Sequence, residues 1–241
     1  MKLPRLDVPN YDATLPVSGQ KIRYRPYTVK EEKILMMASQ SDQPMDKINA
    51  LNQIIANCSD VDPVEAHPTD VEWIFLQIRA VSVSPVVELN YTITPENCGA
   101  DEEDRHNCPR EIKTGFNINT DVTVENIEEM SKHATLRTDG WVVRLSDNIG
   151  LLVKLRSAKA EDSALYEMVE SIFDGDQIFA KSDFSLEEFN EFIDDLPTPN
   201  TKILKDFLDA IPYTQTRVVA VCHKCKKEFP YKATGVISFL V

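Results

Sequence analysis

The residues whose type and spacing most directly suggest chemistry are cysteines. In Cys222-His223-Lys224-Cys225, two thiols separated by two residues at a tight turn can share one tetrahedral metal ion. Zinc takes thiolate ligands at that spacing. A closed structural site needs two more ligands, and Cys98 and Cys108 are the candidates, with His106 as a substitute. Nine residues separate Cys98 from Cys108, wider than the usual two to four. Three other readings remain open: a disulfide, a metal-free pair of knuckles, and a redox centre. A disulfide is disfavoured where thiols are kept reduced. A thioredoxin-like centre requires its Cys-x-x-Cys to open a helix, whereas the sequence after Cys225 looks extended. Cys58 follows the apolar face of a helix and is expected in the core.

Other chemistries find little support. The chain contains no Gly-x-x-x-x-Gly-Lys, Gly-x-Gly-x-x-Gly, Gly-x-Ser-x-Gly or His-Glu-x-x-His motif. With 7 Gly in 241 residues, a backbone phosphate cradle is hard to build. His67, His106, His133 and His223 stand in polar, turn-like surroundings and are expected at the surface. Asp174-Gly175-Asp176 lacks the closing Glu of a calcium loop. The Glu187/Glu188 pair is explained by solvation of an acidic helix. The expectation is a protein without catalytic function, an enzyme with an unrecognised site being the alternative.

Charge narrows the class further. The net charge is −13, and phosphate repels such a chain, so nucleic acid is not an expected partner. The longest uncharged stretch, Ile48 to Ser59, has 12 residues rich in Asn and Gln, too short and too polar to span a membrane. The first residues lack an apolar segment of the signal-peptide kind, and a soluble, cytoplasmic protein is expected. Between Glu161 and Asp195, twelve acidic residues face one base, Lys181. That stretch is either a solvated helix surface or a docking face for a basic partner, with Glu187, Glu188 and Glu191 as its candidate contacts. Basic residues gather at both ends of the chain, and Arg23 and Arg25 mark a second candidate contact surface.

These residues need a scaffold, and hydrophobic periodicity outlines it. An arm of about twenty residues leads to a short strand at Ile22 and Tyr24. Thr28 to Glu31 forms a capping box opening a helix to about Gln40. A second helix starts at Pro44, with Ile48, Leu51, Ile54 and Ile55 on one face. Thr69 to Glu72 suggests another capping box, followed by Val71, Ile74, Phe75 and Ile78. Period two then marks a strand over Val87 to Ile93 and a returning strand through Ile112, Phe116 and Ile118. Thr123 is expected to cap a short helix to Lys132, and residues 140–155 form a hairpin around Asp147-Asn148. Leu165, Met168, Val169, Ile172 and Phe173 fit a helix from Asp162. Two more amphipathic helices follow, the first capped by Ser185 and Glu188, then a strand from Thr216 to Val221, the cysteine knuckle, and a return through Phe229 and Tyr231.

The architecture expected is α+β, with N-terminal and C-terminal helices around a small antiparallel sheet that carries a zinc-ribbon-like cysteine knuckle. It divides into an arm, strand and helices at 1–84, a β-rich middle at 85–160, an acidic helical segment at 161–212, and a terminal strand-knuckle-strand at 213–241.

The run Gly19-Gln20-Lys21-Ile22-Arg23-Tyr24-Arg25-Pro26-Tyr27-Thr28-Val29-Lys30-Glu31-Glu32-Lys33-Ile34-Leu35 resembles the opening of the T4-like phage baseplate protein family, the hub assembly proteins of contractile tails. Arg144-Leu145-Ser146-Asp147-Asn148-Ile149-Gly150 is similar as well. So is the stretch from Cys222-x-x-Cys225-x-x-Glu228-Phe229 to Gly235-Val236-Ile237-Ser238-Phe239-Leu240. The resemblance implies a factor that builds the baseplate hub, with other hub and hub-assembly proteins as partners, working in the host cytoplasm. A permanent structural subunit of the virion baseplate is the competing expectation. The wide Cys98–Cys108 loop departs from the tighter knuckle that the family leads one to expect.

Overall fold

The N-terminal core forms because two amphipathic helices and a hairpin each have one apolar side to bury. The computed structural model describes residues 6–94, 108, 110–137, 140–155 and 164–234. Strand β1 (Tyr11–Thr14), which lies inside the expected arm, pairs antiparallel with β2 (Lys21–Tyr24). Helices α1 (Val29–Ser39), α2 (Pro44–Cys58) and α3 (Pro68–Ser82) follow. Leu51, Ile54 and Ile55 of α2 meet Ile74, Phe75 and Ile78 of α3 beneath Leu15, Ile22 and Tyr24. Burying each such side chain contributes about 1.5–3 kcal/mol.

The cap of α1 is as expected in one half: the Glu31 carboxylate accepts the Thr28 amide at 2.8 Å. The cap of α3 is not. His67 is its N-cap, its Nδ1 accepting the Thr69 amide at 3.1 Å. The Thr69 and Glu72 side chains are drawn off to the far end of the chain. The Thr69 hydroxyl donates to the Pro212 carbonyl at 2.5 Å, and Glu72 accepts the Thr214 hydroxyl at 2.5 Å. Long-range hydrogen bonds outcompete the local box.

The middle contains the hairpin β3 (Val86–Thr92) and β4 (Glu111–Asn117), then α4 (Ile118–Asp121) and β5 (Val122–Glu125). Thr123 therefore lies in a strand. The helix expected from it starts later, as α5 (Ile127–His133), after Asn126 turns the chain at φ 67°, a conformation Asn tolerates. Strands β6 (Thr135–Arg137), β7 (Gly140–Arg144) and β8 (Ile149–Val153) follow, the last two being the expected hairpin.

The helix expected from Asp162 survives only as α6 (Ala164–Met168); Val169 to Phe173 belong to β9 (Val169–Asp174), which turns through Gly175 into β10 (Gln177–Ala180). A bulge explains the misleading spacing. Leu151 pairs with Ile172 and Leu152 with Ser171, but Val153 pairs with Val169, so Glu170 is the extra residue. That insertion brings Val169 and Ile172 onto the same core side, mimicking an i, i+3 helical pair. Helices α7 (Leu186–Asp194) and α8 (Thr198–Asp209) then cover this sheet, with Phe189, Leu204 and Phe207 on Trp141, Val143, Leu151 and Val153.

The chain ends in β11 (Tyr213–Val221) and β12 (Glu228–Thr234). Described strands form four antiparallel sheets: β1-β2, β10-β9-β8-β7-β6, β12-β11-β5 and β3-β4. The chain thus has mixed α and β structure in which several small sheets replace the single one expected. Among the described residues, no helix is long and apolar enough to cross a membrane.

Two charged groups pin the N-terminal part. Asp70 is fully buried and accepts the Val17 and Ser18 amides, each at 2.9 Å, tying the β1–β2 turn to the first turn of α3. Asp70→Ala removes both acceptors and should cost about 2 kcal/mol, read as a lowered urea midpoint with unchanged slope. A midpoint equal to wild type would show that water replaces the carboxylate freely.

Acid should weaken this region in two windows. Burial pushes the His67 imidazole down to about 4, with Asp70 acting in the opposite sense. The unfolded state therefore takes up a proton first, and stability falls as pH drops from about 6.5 towards 4. For Glu31, burial alone would raise the carboxyl, but hydrogen bonds from the Thr28 side chain and amide and from Arg25 hold it at about 2. Its contribution is complete above 4.5 and is lost as pH falls through about 2. In His67→Asn, where Asn can still cap the helix, denaturation midpoints should lose the dependence of the first window and keep the second. A variant as sensitive as wild type between pH 6.5 and 4 would exclude His67 as its source.

Candidate metal centre

Alternation along β11 turns Val218, Ala220 and Cys222 inward, while Arg217, Val219 and Val221 face outward. The strand thus delivers a fully buried Cys222 at its end. The chain then reverses: the Lys226 amide donates to the Cys222 carbonyl at 2.9 Å, and the Cys222 amide to the Lys227 carbonyl at 3.0 Å. Lys226 takes a left-handed φ of 61°, which closes the turn and places Cys225 beside Cys222. The Cys-x-x-Cys lies between two strands, not at the start of a helix, so the geometry required of a thioredoxin-like centre is not met.

The β3–β4 hairpin supplies the other side. Ile93 and Ile112, at its loop end, cluster with Ala220, Cys222 and Phe229, and Tyr91, Cys108 and Cys225 pack around them. The Tyr91 and Phe229 rings lie 5.4 Å apart on one flank. In this setting the sulfurs of Cys108, Cys222 and Cys225 all lie within 4.8 Å of one another. With metal–sulfur bonds of about 2.3 Å, the edge of a tetrahedral site is roughly 3.8 Å. The three cysteines can therefore hold a metal ion after small adjustments. Three of the four expected ligands converge; Cys98 and the substitute His106 lie outside the described residues.

The remaining cysteine stays apart. Cys58 is buried in the N-terminal core, where burial above all pushes its thiol up to about 11, Arg25 opposing and Glu31 adding to the shift. An inert core thiol fits the expectation. Of the histidines, His223 is exposed and His133 half-buried. His67, expected at the surface, is the half-buried cap of α3, because a helix N-terminus packed on β11 needs an acceptor there.

The charged candidates differ in what they are free to do. Glu187, Glu188 and Glu191 are exposed on α7 above the buried Phe189. The Glu188 carboxylate, however, accepts the Ser185 amide at 2.7 Å, so it caps the helix. Lys181, the single base of the acidic stretch, donates to the Tyr166 and Glu167 carbonyls at the end of α6 and stands 4.6 Å from the Tyr166 ring centre. Arg23 is exposed, 3.6 Å from Asp12. Arg25 is engaged internally, donating to the Asn57 carbonyl at 2.8 Å and to Glu31 at 3.1 Å. Sequence alone missed this bracing role and that of Asp70, since both depend on partners distant in the chain.

A small mixed α and β protein with a cysteine knuckle closed by a second hairpin is the class that this geometry defines. The family model of the T4 bacteriophage base plate protein matches residues 8–241, and the chain belongs to that family. No curated protein and no solved structure matches it.

If a metal joins the two hairpins, Cys222→Ser should lower stability by at least ~3 kcal/mol, a shift on the order of 10 °C at this length. A strong chelator should shift wild type similarly and leave the variant unmoved. Equal melting of wild type with and without chelator would argue for a metal-free cluster.

Proposed function

We propose that this baseplate-family protein is an assembly factor of the tail hub, acting through protein–protein contacts and without catalysis. The family match over residues 8–241 carries the reading. Subunits that later polymerise expose sticky faces and strand edges that must be covered until use. An acidic protein with a docking surface on α7 is suited to cover such a face and leave. We further propose that the cysteine centre binds zinc, with Cys98 completing a set of four with Cys108, Cys222 and Cys225. In small modules, structural zinc contributes roughly 10–16 kcal/mol of apparent binding energy, enough to hold the hairpins together while partners exchange.

Proteomics of infected cells and of purified virions tests the role. The chain should be found with hub intermediates in the host cytoplasm and be lost from mature particles. Stoichiometric recovery in the virion baseplate would make it a permanent subunit instead.

The acidic surface makes a separate prediction. Glu187→Lys/Glu191→Lys, sparing the capping Glu188, should slow association with a purified hub protein. The wild-type rate should itself fall between low and physiological salt, as the screening length shrinks from about 30 Å to about 8 Å. If the double variant associates at the wild-type rate, the acidic face serves solvation only, and the Arg23 surface becomes the place to look.

A further inference from the structure

The five-stranded sheet has a second face that α7 and α8 do not cover. Gly140, Val142 and Arg144 of β7 point away from the core side occupied by Trp141 and Val143. Register places Leu152 beside Val142, and Phe173 across Gly150 from Arg144. None of the apolar clusters among the described residues includes Val142, Leu152, Phe173 or Ile178. Together they floor a depression of about 460 Å³, with Arg137 and Arg144 above it and Asp147 and Asp176 at the turn end. Val142 is buried at the bottom of this face, Leu152 and Phe173 are half-buried, and Ile178, on the edge strand β10, is 68% exposed.

This surface has a built shape. A Cβ on Gly150 would come within 2.3 Å of the Phe173 ring and 2.7 Å of the Val143 carbonyl oxygen, so the ring occupies space that a side chain at position 150 would need. The Arg144 guanidinium stands 5.9 Å from the centre of that ring, within cation–π range. Neither Arg137 nor Arg144 has a carboxylate within salt-bridge distance among the described residues. In a chain with 39 acids and 26 bases, two arginines without a carboxylate partner among the described residues, flanking an apolar floor, run against the composition.

We propose that this open sheet face docks a short acidic and apolar segment of another baseplate protein. The occupant would lay apolar side chains on Leu152, Phe173 and Ile178, with the buried Val142 beneath them, and place a carboxylate between Arg137 and Arg144. Arg137 lies opposite Gly140, four residues from Arg144, so the charged span is about 13 Å at ~3.3 Å per residue. Four or five extended residues cover it. The Asp147 and Asp176 carboxylates set the direction, repelling the acidic end of the occupant from the turns. The partner class rests on the reading under Proposed function; the face and its charge preference are read from the sheet itself. This second contact has the opposite charge sense to α7, and two opposite patches select a partner orientation as well as a partner.

The test titrates wild type, Arg137→Glu/Arg144→Glu and Arg144→Lys against each separately purified baseplate protein of the same phage, at low and physiological ionic strength. Thermal midpoints serve as the folding check. The double reversal should weaken binding to one of these proteins roughly tenfold or more, while Arg144→Lys, which keeps the charge, retains most of it. Overlapping peptides from that protein should locate the contact in an acidic and apolar stretch. Equal binding by wild type and the double reversal overturns the inference alone, as does an Arg144→Lys loss as large as the reversal. No binding of wild type to any baseplate protein overturns the functional reading and the inference with it. If the reversal abolishes only self-association in light scattering, the occupant is a second copy and the partner assignment is wrong.

Discussion

Three cysteine sulfurs held within 4.8 Å of one another impose the constraint on which the C-terminal part of this structure depends. As thiolates they would repel one another, and as neutral thiols they make weak hydrogen bonds, so the cluster gains most when a cation shares their charge. The geometry that gathers them costs chain entropy, because Cys108 is more than a hundred residues from Cys222. What offsets that cost is apolar: Ile93, Ile112, Ala220 and Phe229 form a small core beneath the sulfurs. Such a core is thin by itself. Linking it through a metal would turn two marginal hairpins into one unit.

Strand β11 extends that unit to the rest of the chain. It pairs with β12 along one side and with β5 on the other. Its buried Thr214 and Thr216 donate to Glu72 and to the Asp121 carbonyl, while Thr69 of α3 reaches Pro212 just before it. Leu76 and Ala80 of α3 also share an apolar cluster with Val218 and Ala233. The same helix holds the N-terminal turn through Asp70. A disturbance at the cysteines therefore has a packed route through β11 and α3 to the N-terminal hairpin. The helices α7 and α8 pack instead on the β10-β9-β8-β7-β6 sheet.

How much of this was legible in the sequence depended on how local each signal was. The Ser185–Glu188 cap and the faces of α2 and α3 are set by residues three or four apart, and they formed where periodicity put them. The alternation into Cys222 is equally local, and it delivered the knuckle between two strands. Val169 to Phe173 misled because a single bulged residue, Glu170, shifts the phase of a strand until it reads like a helix. Thr69 and Glu72 misled for a different reason: their side chains had better partners across the fold than beside them. Arg25, read as a surface contact candidate, turned inward because the carbonyl of Asn57 and the carboxylate of Glu31 were waiting. The need of the knuckle for two further ligands suggested Cys108 although its spacing from Cys98 was unusual, and only tertiary packing could bring the two hairpins together.

The most direct test is X-ray absorption at the zinc edge of the full chain purified without chelator. A loaded clasp predicts about one zinc per chain surrounded by four sulfur atoms at roughly 2.3 Å. A zinc-free protein, or zinc ringed by oxygen and nitrogen without sulfur, would contradict it and leave the two hairpins held by packing alone.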